Sequence, residues 1–475
     1  MSPFRGEESV TVGPSINKPH ILLISQDVVG TQMAGPGIRY YHLARVLSRE
    51  FNVLLAVPRE SVPEASVASL RVARYARGDW TSLEPLVHGA EVIFFPSDIA
   101  TEFPELAQSE AALVVDGYDP LLAEWLMLTQ SQPREQEAHW QTRVSNLTRQ
   151  YLLGDFFVCA SERQRDWWLG LLEANGRVNA WTFRQDPSLR RLIDVVPFGL
   201  PESAPQHTHA AVKGVWPGIA REDRVILWGG GLWPWLDPFT AIRAVESVWR
   251  VRQDIRLIFP GTRRPNSDLA AMPSAIAQTA RDLAESLGLL DKAVFFGDWV
   301  PYGDWPNVLL ESDLALSLHY EASLEAQLAF RSRVLDYLWA GLPVVATRGD
   351  ATSELIQAHE VGILVTGEDS QGVAQAILRL LDTPRQEWAN CFEEARRSMT
   401  WERAAQPLIE FCRQPQRAPD RVAVGNRLGS PFYMVQVEEL QAEVGRLQAL
   451  VQAYEHRRAV RLANRAHEIR ERLRW

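Results

Sequence analysis

The chain has 475 residues, of which 46% are hydrophobic and 23% charged, and a formal charge of −10; this suits two ordinary domains plus an appendage in a folded, globular protein. The acidic balance supplies no positive field to hold a polyanion, which argues against a general nucleic-acid binder. Cys159, Cys391 and Cys412 are widely spaced, as expected in a reducing cytoplasm, which excludes a disulfide framework or cysteine metal site, and no run approaches the roughly 18 apolar residues of a membrane span.

Residues 1–20 have no apolar core and are not expected to be a secretory signal. HILLIS (20–25) reads as a buried strand, followed by a loop carrying Gly35-Pro36-Gly37, a helix with Tyr41, Ala44, Val46 and Leu47 inward, and a second strand, NVLLAVP (52–58). This is one parallel βαβ unit. Its glycines let backbone approach a ligand at a helix N-terminus, or simply make a tight turn; Arg39 either reaches an anion or is solvated. EVIFFPS and ALVVDGYDP are further strands, and the second places Asp116 and Asp119 on the ligand side of an open sheet, or in an aspartate-held turn. A long helical section follows, then the strand DFFVCAS, with Ser161 as the expected cap of the next helix and Arg163 behind it. LIDVVPFGL closes this half. The linker from Pro201 carries His207 and His209, to which no metal role is assigned.

The second half repeats the theme. RVILWGGG is a strand running into Gly229, Gly230 and Gly231, the strongest signal for close backbone approach in the chain. IRLIFPG is next, with Arg263 and Arg264 just beyond it, placed either for a diphosphate or on the surface. VFFGDWV ends in Trp299 and Val300, which either meet a base or fill the core. A short helix is expected over Asp304 to Ser312, then the strand DLALSLH. Arg331 to Ala340 has Val334, Leu335, Leu338 and Trp339 at helical spacing, and Gly341 stops it before the strand LPVVAT. The loop ahead of that helix opens into the crevice beyond the strand ends. It holds Glu321, Glu325, Arg331 and Arg333, with Asp336 one turn on: carboxylates for sugar hydroxyls and guanidinium forks for phosphate oxygens. The fold class is α/β, two doubly wound parallel sheets facing one another across a ligand cleft. Seventeen scattered Trp are expected mostly in core or interdomain packing.

Past Trp401 the chain changes: WERAAQPLIEFCR is a final helix, and a linker-like stretch follows. Leu440, Val444, Leu447, Val451 and Tyr454 then alternate spacings of four and three, a heptad seam. A second stripe, Leu462, Ala466, Ile469 and Leu473, is ringed by arginines. This end either lies on an anionic membrane surface, forms an oligomerisation arm with a second copy or a partner helix, or is a solvated helix.

Three stretches resemble family 4 of the GT-B glycosyltransferases, nucleotide-sugar-dependent retaining enzymes. They are ILLIS…GPGIRYYHLARVLSREFNVLLAV, VVPFGLP, and VFFGDWVPYGDWPNVLLESDLALSLH with RVLDYLWAGLPVVAT. The resemblance spans roughly residues 20–400. It implies an acceptor domain over 1–200, a nucleotide-sugar donor domain over 201–400, a crossover helix and linker over 401–429, and a helical extension over 430–475. No metal or other cofactor is implied. Donor contacts would fall to Gly229–Gly231, Arg263, Trp299, Val300 and Asp336. Glu325, Arg331, Arg333 and Asp116 would serve the reaction, and Gly35, Gly37 and Arg39 the acceptor or phosphate loop. Asp336 stands at the second of the family's two paired glutamates, Glu325 is the nearest candidate for the first, and the Arg and Lys usual after the first donor strand are replaced by GGGLWPWLDPF. The expected partner is a nucleotide-sugar with a glycan or lipid-linked acceptor, at the inner face of a membrane, in cell-surface polysaccharide synthesis. An inert GT-B-like scaffold subunit and a nucleotide-sugar epimerase are the alternatives.

Overall fold

The computed structural model describes residues 18–62, 69–262, 271–425, 431–455 and several positions between 462 and 470. The eleven buried runs read from the sequence become strands, and the described residues hold thirteen in all. Seven form the first sheet: β1 His20–Ile24, β2 Asn52–Pro58, β3 Val72–Tyr75, β4 Val92–Pro96, β5 Ala112–Asp116, β6 Phe156–Cys159 and β7 Ile193–Val195. Six form the second: β8 Arg224–Leu227, β9 Ile255–Phe259, β10 Val294–Phe296, β11 Leu314–Ser317, β12 Val344–Thr347 and β13 Gly362–Val365. Every pairing is parallel, in the orders β3-β2-β1-β4-β5-β6-β7 and β10-β9-β8-β11-β12-β13. The central strands are buried on both faces, so they read as continuous apolar runs. Two strands went unread. β3, with the sequence VARY, lies at a sheet edge and is exposed at two of its four positions, and β13 is a four-residue edge.

Strand order reverses between β1 and β4 in the first sheet and between β8 and β11 in the second. Crevices form at such switch points, beyond the strands' carboxyl ends. Here the two carboxyl edges face each other. The Tyr302 amide, after β10, donates to the Thr31 carbonyl after β1 at 3.0 Å. Gln164 sits in the helix Glu162–Ala174, which Ser161 caps as expected. Its side-chain amide donates both to Tyr118 O at 2.8 Å and to Leu328 O of the second domain at 2.7 Å. Arg163 donates to Gln327 O at 3.1 Å and reaches Gly349 O and Glu354. The loops of the two sheets therefore clasp across a closed cleft.

After β13 the chain returns to the first domain. Leu200 and Thr400 pair as a bridge, and a Cβ on Gly199 would lie 2.4 Å from the Trp401 backbone, so this crossing demands glycine. Phe411 then stacks on Phe156 at 4.8 Å, and Asp420 meets Arg177 at 2.7 Å with both side chains fully buried. The helix Pro431–Glu455 stands beyond this crossing.

Candidate functional site

The loop after β8 and the helix Ser332–Ala340 make the centre of the site. Gly341, at φ +68°, ends that helix in the left-handed conformation expected of its cap. Residues 333, 336 and 337 lie at i, i+3 and i+4 and so share one face. Tyr337 fixes that face to the glycine turn: its hydroxyl accepts from Gly229 N at 2.8 Å and donates to Leu316 O at 3.2 Å. The Gly229 amide is thereby consumed by the fold and is withdrawn from the expected ligand contacts. Gly230 has φ +107°, and a Cβ there would come within 3.1 Å of the Arg333 guanidinium carbon. Glycine is what lets that guanidinium lie flat against the end of β8. Gly231 lies under the Trp233 indole, which stacks on Trp235 at 5.3 Å.

Arg333 is half-buried, and no acceptor among the described residues takes its N–H groups. Burial lowers its pKa, and the like charge of Arg331 works in the same direction. A guanidinium held in a protein without an anion is costly unless one arrives. Asp336 is tied to the Trp305 indole N–H at 3.1 Å, and burial raises its pKa to about 7 against the pull of that bond and of Arg333. Asp336 borders a cavity of about 150 Å³ between the domains, whose walls include Gly35, His42, Phe198, Tyr302 and Trp305. His42 bonds the Tyr302 hydroxyl at 2.8 Å and stacks on Trp401 at 5.0 Å. Burial, with Arg45, lowers its pKa to about 3, so it is a neutral pin between the domains. A Cβ on Gly35 would lie 3.4 Å from Ser332 Oγ across the cleft, and one on Gly37 would meet Val28 O at 2.2 Å, so Gly37 is fixed by packing.

Arg331, expected to face a leaving group, points elsewhere. It holds Glu325 in a bidentate pair at 2.6 and 2.8 Å, and its Nε lies 3.5 Å from Asp350. Glu325 is buried because Leu324–Leu328 forms a short helix capped by Ser323, which the sequence reading left as loop. Burial pushes the Asp350 carboxyl up, but His319 and Arg331 outweigh it and hold the group below its usual range. Arg331 and Glu325 are thus a buried structural pair, which corrects their placement as groups contacting the donor. The same correction applies in the first domain. Arg39 donates to both Asp116 oxygens at 2.8 and 2.9 Å and to the Pro197 and Val196 carbonyls at 3.1 and 2.9 Å, with Arg39 and Asp116 side chains wholly buried. The expected phosphate-loop arginine and catalytic aspartate neutralise each other. Asp119 and Glu124, just beyond, are raised by burial and by neighbouring carboxylates, with Glu325 acting on Glu124 from the opposite wall. Trp299 packs on Gly261, and Val300 is half-buried. Arg263 lies outside the described residues.

The sequence reading missed Tyr337, Trp305, Gln164 and His42. A signal existed for Tyr337, which sits one turn past Arg333 on the same face. Gln164 and His42 gave none, because the contacts that make them cross-domain residues, to Leu328 O and to the Tyr302 hydroxyl, lie in the other domain.

Residues 223–383 match the family described as glycosyl transferases group 1. The chain is 31% identical over 169 residues to the D-inositol 3-phosphate glycosyltransferase of Acidothermus cellulolyticus, 35% of each chain. It is 27% identical over 99 residues to the chitobiosyldiphosphodolichol beta-mannosyltransferase of Debaryomyces hansenii, 20% of each chain. It therefore spans only a fifth to about a third of the curated relatives it matches. Among solved structures it resembles sucrose-phosphate synthase from Thermosynechococcus elongatus, with a TM-score of 0.58 and 16% identity over 84% of this chain and 99% of that one. Anabaena HepE in complex with UDP and glucose gives a TM-score of 0.59 and 16% identity over 82% and 98%. WaaG, a glycosyltransferase involved in lipopolysaccharide biosynthesis, gives 0.56 and 13% over 83% and 100%. At these identities the likeness establishes the fold: two facing parallel-sheet domains of the GT-B type, with a helical C-terminal part.

Proposed function

We propose that this chain, which has the GT-B glycosyltransferase fold and whose residues 223–383 are those of the glycosyl transferases group 1, moves a sugar from a nucleotide-sugar donor to a glycan or lipid-linked acceptor. One observation carries this reading: Arg333 lies against the Gly230 turn at the second sheet's switch point, and although Asp336 and Glu325 act on it through space, no carboxylate among the described residues comes within ion-pair distance of it. A diphosphate supplies the anion. Arg333 grips it as a fork, and the Gly230–Gly231 backbone lets it approach. Asp336 accepts ribose hydroxyls, and the base lies toward Trp299 and Val300, after β10. The Anabaena relative of this fold holds UDP, which supports a nucleoside diphosphate.

The barrier falls because fixed positive charge meets the negative charge growing on the departing phosphate, inside a cleft closed to water. As the bond from the anomeric carbon to the phosphate oxygen breaks, the bond to the acceptor oxygen forms, and the acceptor's proton passes to a phosphate oxygen. Retention of configuration follows the family resemblance, and no metal is required. Arg331 contributes by position: with Glu325 and Asp350 it fixes the start of the helix that carries Arg333. A lipid-linked acceptor would bring the chain to the inner face of a membrane, in assembly of cell-surface polysaccharide.

Thermal shift against a panel of nucleoside diphosphates and their sugars, followed by assays with and without acceptor, tests this. Stabilisation by one diphosphate family, lost in Arg333→Ala, is expected together with acceptor-dependent release of diphosphate. Binding without turnover favours an inert scaffold, a reading that the absence of the usual cations after β8 also supports. Conversion of the donor with no acceptor present would make the chain an epimerase.

A further inference from the structure

The helix Pro431–Glu455 leaves an apolar seam uncovered. Leu440 is 65% exposed, Val444 52%, Leu447 48%, Val451 56% and Tyr454 60%. Single exposed apolar residues are ordinary, but a repeated stripe on one helix is a surface awaiting a partner. In heptad terms Val437, Val444 and Val451 take the a positions, while Leu440, Leu447 and Tyr454 take the d positions. β-Branched residues at a with leucine at d favour two parallel strands, because knobs-into-holes packing in a dimer suits that pairing. Parallel pairing also stacks like on like, valine layer on valine layer, which only a chain of the same sequence in the same register provides.

The flanking residues agree. Gln436, Glu443 and Leu450 occupy the g positions, and Gln441, Gln448 and Glu455 the e positions. In a parallel pair each g faces the following e of its partner, so Glu443 meets Gln448. No like charges meet, and Leu450, itself 53% exposed, widens the apolar seam. Glu443 is neutralised within its own helix by Arg446 at 2.6 Å, so it imposes no charge on the seam.

We propose that residues 437–454 pair with the same segment of a second copy as a parallel two-stranded coiled coil, joining two chains tail to tail through an isologous contact. The seam is only about three heptads long, so the dimer is concentration-dependent rather than permanent. This inference does not depend on the transferase reading.

Sedimentation velocity of the full chain across a wide concentration range tests it. A shift from one chain to two is expected as concentration rises, and the double variant Val444→Glu with Leu447→Glu should stay a single chain. Its thermal midpoint should match the parent's, since both side chains are half exposed. Direction is tested by Leu440→Cys in a Cys391→Ser background. Oxidation should give a covalent dimer at high yield, because only parallel strands bring the two copies of residue 440 together. A full chain that stays single at every concentration overturns the proposal, as does a dimer that survives the double glutamate variant, and absence of the crosslink overturns the parallel pairing. Binding to phosphatidylglycerol vesicles by a chain that remains single and loses that binding in the glutamate variant would assign the seam to a membrane instead.

Discussion

The carboxyl edges of the two sheets hold the same kind of residue to opposite ends. In the first domain Arg39, near the start of the helix after β1, turns inward and meets Asp116 at the end of β5, 77 residues away. Two backbone carbonyls complete its bonds, and the Tyr118 and Phe198 rings lie 5.0 and 5.1 Å from its guanidinium carbon. In the second domain Arg333, also at the start of a helix beyond a strand, meets glycine where Arg39 meets a carboxylate. A paired buried cation stitches a domain together and is closed to ligands, whereas an unpaired one leaves the crevice electrically incomplete. The first edge holds its cation in an ion pair, and the second holds one with no ion-pair partner among the described residues.

The sharpest way to break this comparison is to remove one partner at the sealed edge. Arg39→Ala leaves Asp116 buried and alone, as Asp116→Ala leaves Arg39, and each should cost about 3–5 kcal/mol of stability. The double variant Arg39→Met with Asp116→Leu should recover most of that loss, because apolar groups of similar volume replace a buried ion pair at little cost. Chemical denaturation of the three variants reads it out. If either single variant unfolds like the parent but fails to bind acceptor, the first edge is a site after all.

At the open edge the expectation reverses. Arg333→Ala should lower the turnover of a cognate donor by about 100- to 1000-fold, the scale of losing one preorganised charge on a developing anion. Its thermal midpoint should hold or rise, since an unpaired half-buried charge has been removed. Loss of stability with intact turnover would contradict the assignment. Arg331→Ala, two residues away, should lose stability first, because it strands Glu325.

Much of this was legible in the chain, and the missing part has a physical shape. The central strands declared themselves because both their faces are buried, and the helix Ser332–Ala340 because its stripe and glycine stop are local. The edge strands β3 and β13 are short, and β3 is half solvated, so neither carries a run long enough to read. The difference between Arg331 and Arg333 could not be read at all. It depends on a short helix that delivers Glu325 and on Asp350 arriving after β12, both matters of tertiary placement. The exchange of Arg39 from ligand to scaffold has the same origin. Charge type is written in the sequence; its neutralisation is written in the fold.

A smaller perturbation sharpens the contrast without deleting charge. At Gly230 an alanine would be strained by φ +107° and would press its Cβ on the Arg333 guanidinium. The strain should cost about 1–3 kcal/mol. Displacing the cation should lower turnover by about tenfold or more, since positioning errors well under the size of the group are felt in rate. Paired measurement of midpoint and turnover separates the two effects; a stability loss with unaltered turnover would show that the guanidinium need not lie on the glycine.

The finest prediction is a matter of protons. Burial raises the Asp336 pKa to about 7 from 3.8, so the folded protein without donor binds a proton there that the unfolded chain has released. The resulting stabilisation is full below about pH 4 and is lost as pH rises toward 7. Donor affinity should run the other way. Ribose hydroxyls donate best to the ionised carboxylate, so binding must expel the proton, and affinity should weaken as pH falls below about 7, by at most tenfold per unit. Asp336→Asn should flatten both profiles at once, at the low-pH stability of the parent and with weakened donor binding. Titration calorimetry across pH 5.5 to 8 decides it. If the parent's affinity is flat over that window while the variant does flatten the stability profile, Asp336 titrates outside the donor site, and the ribose contact must be sought on another residue of the same cleft.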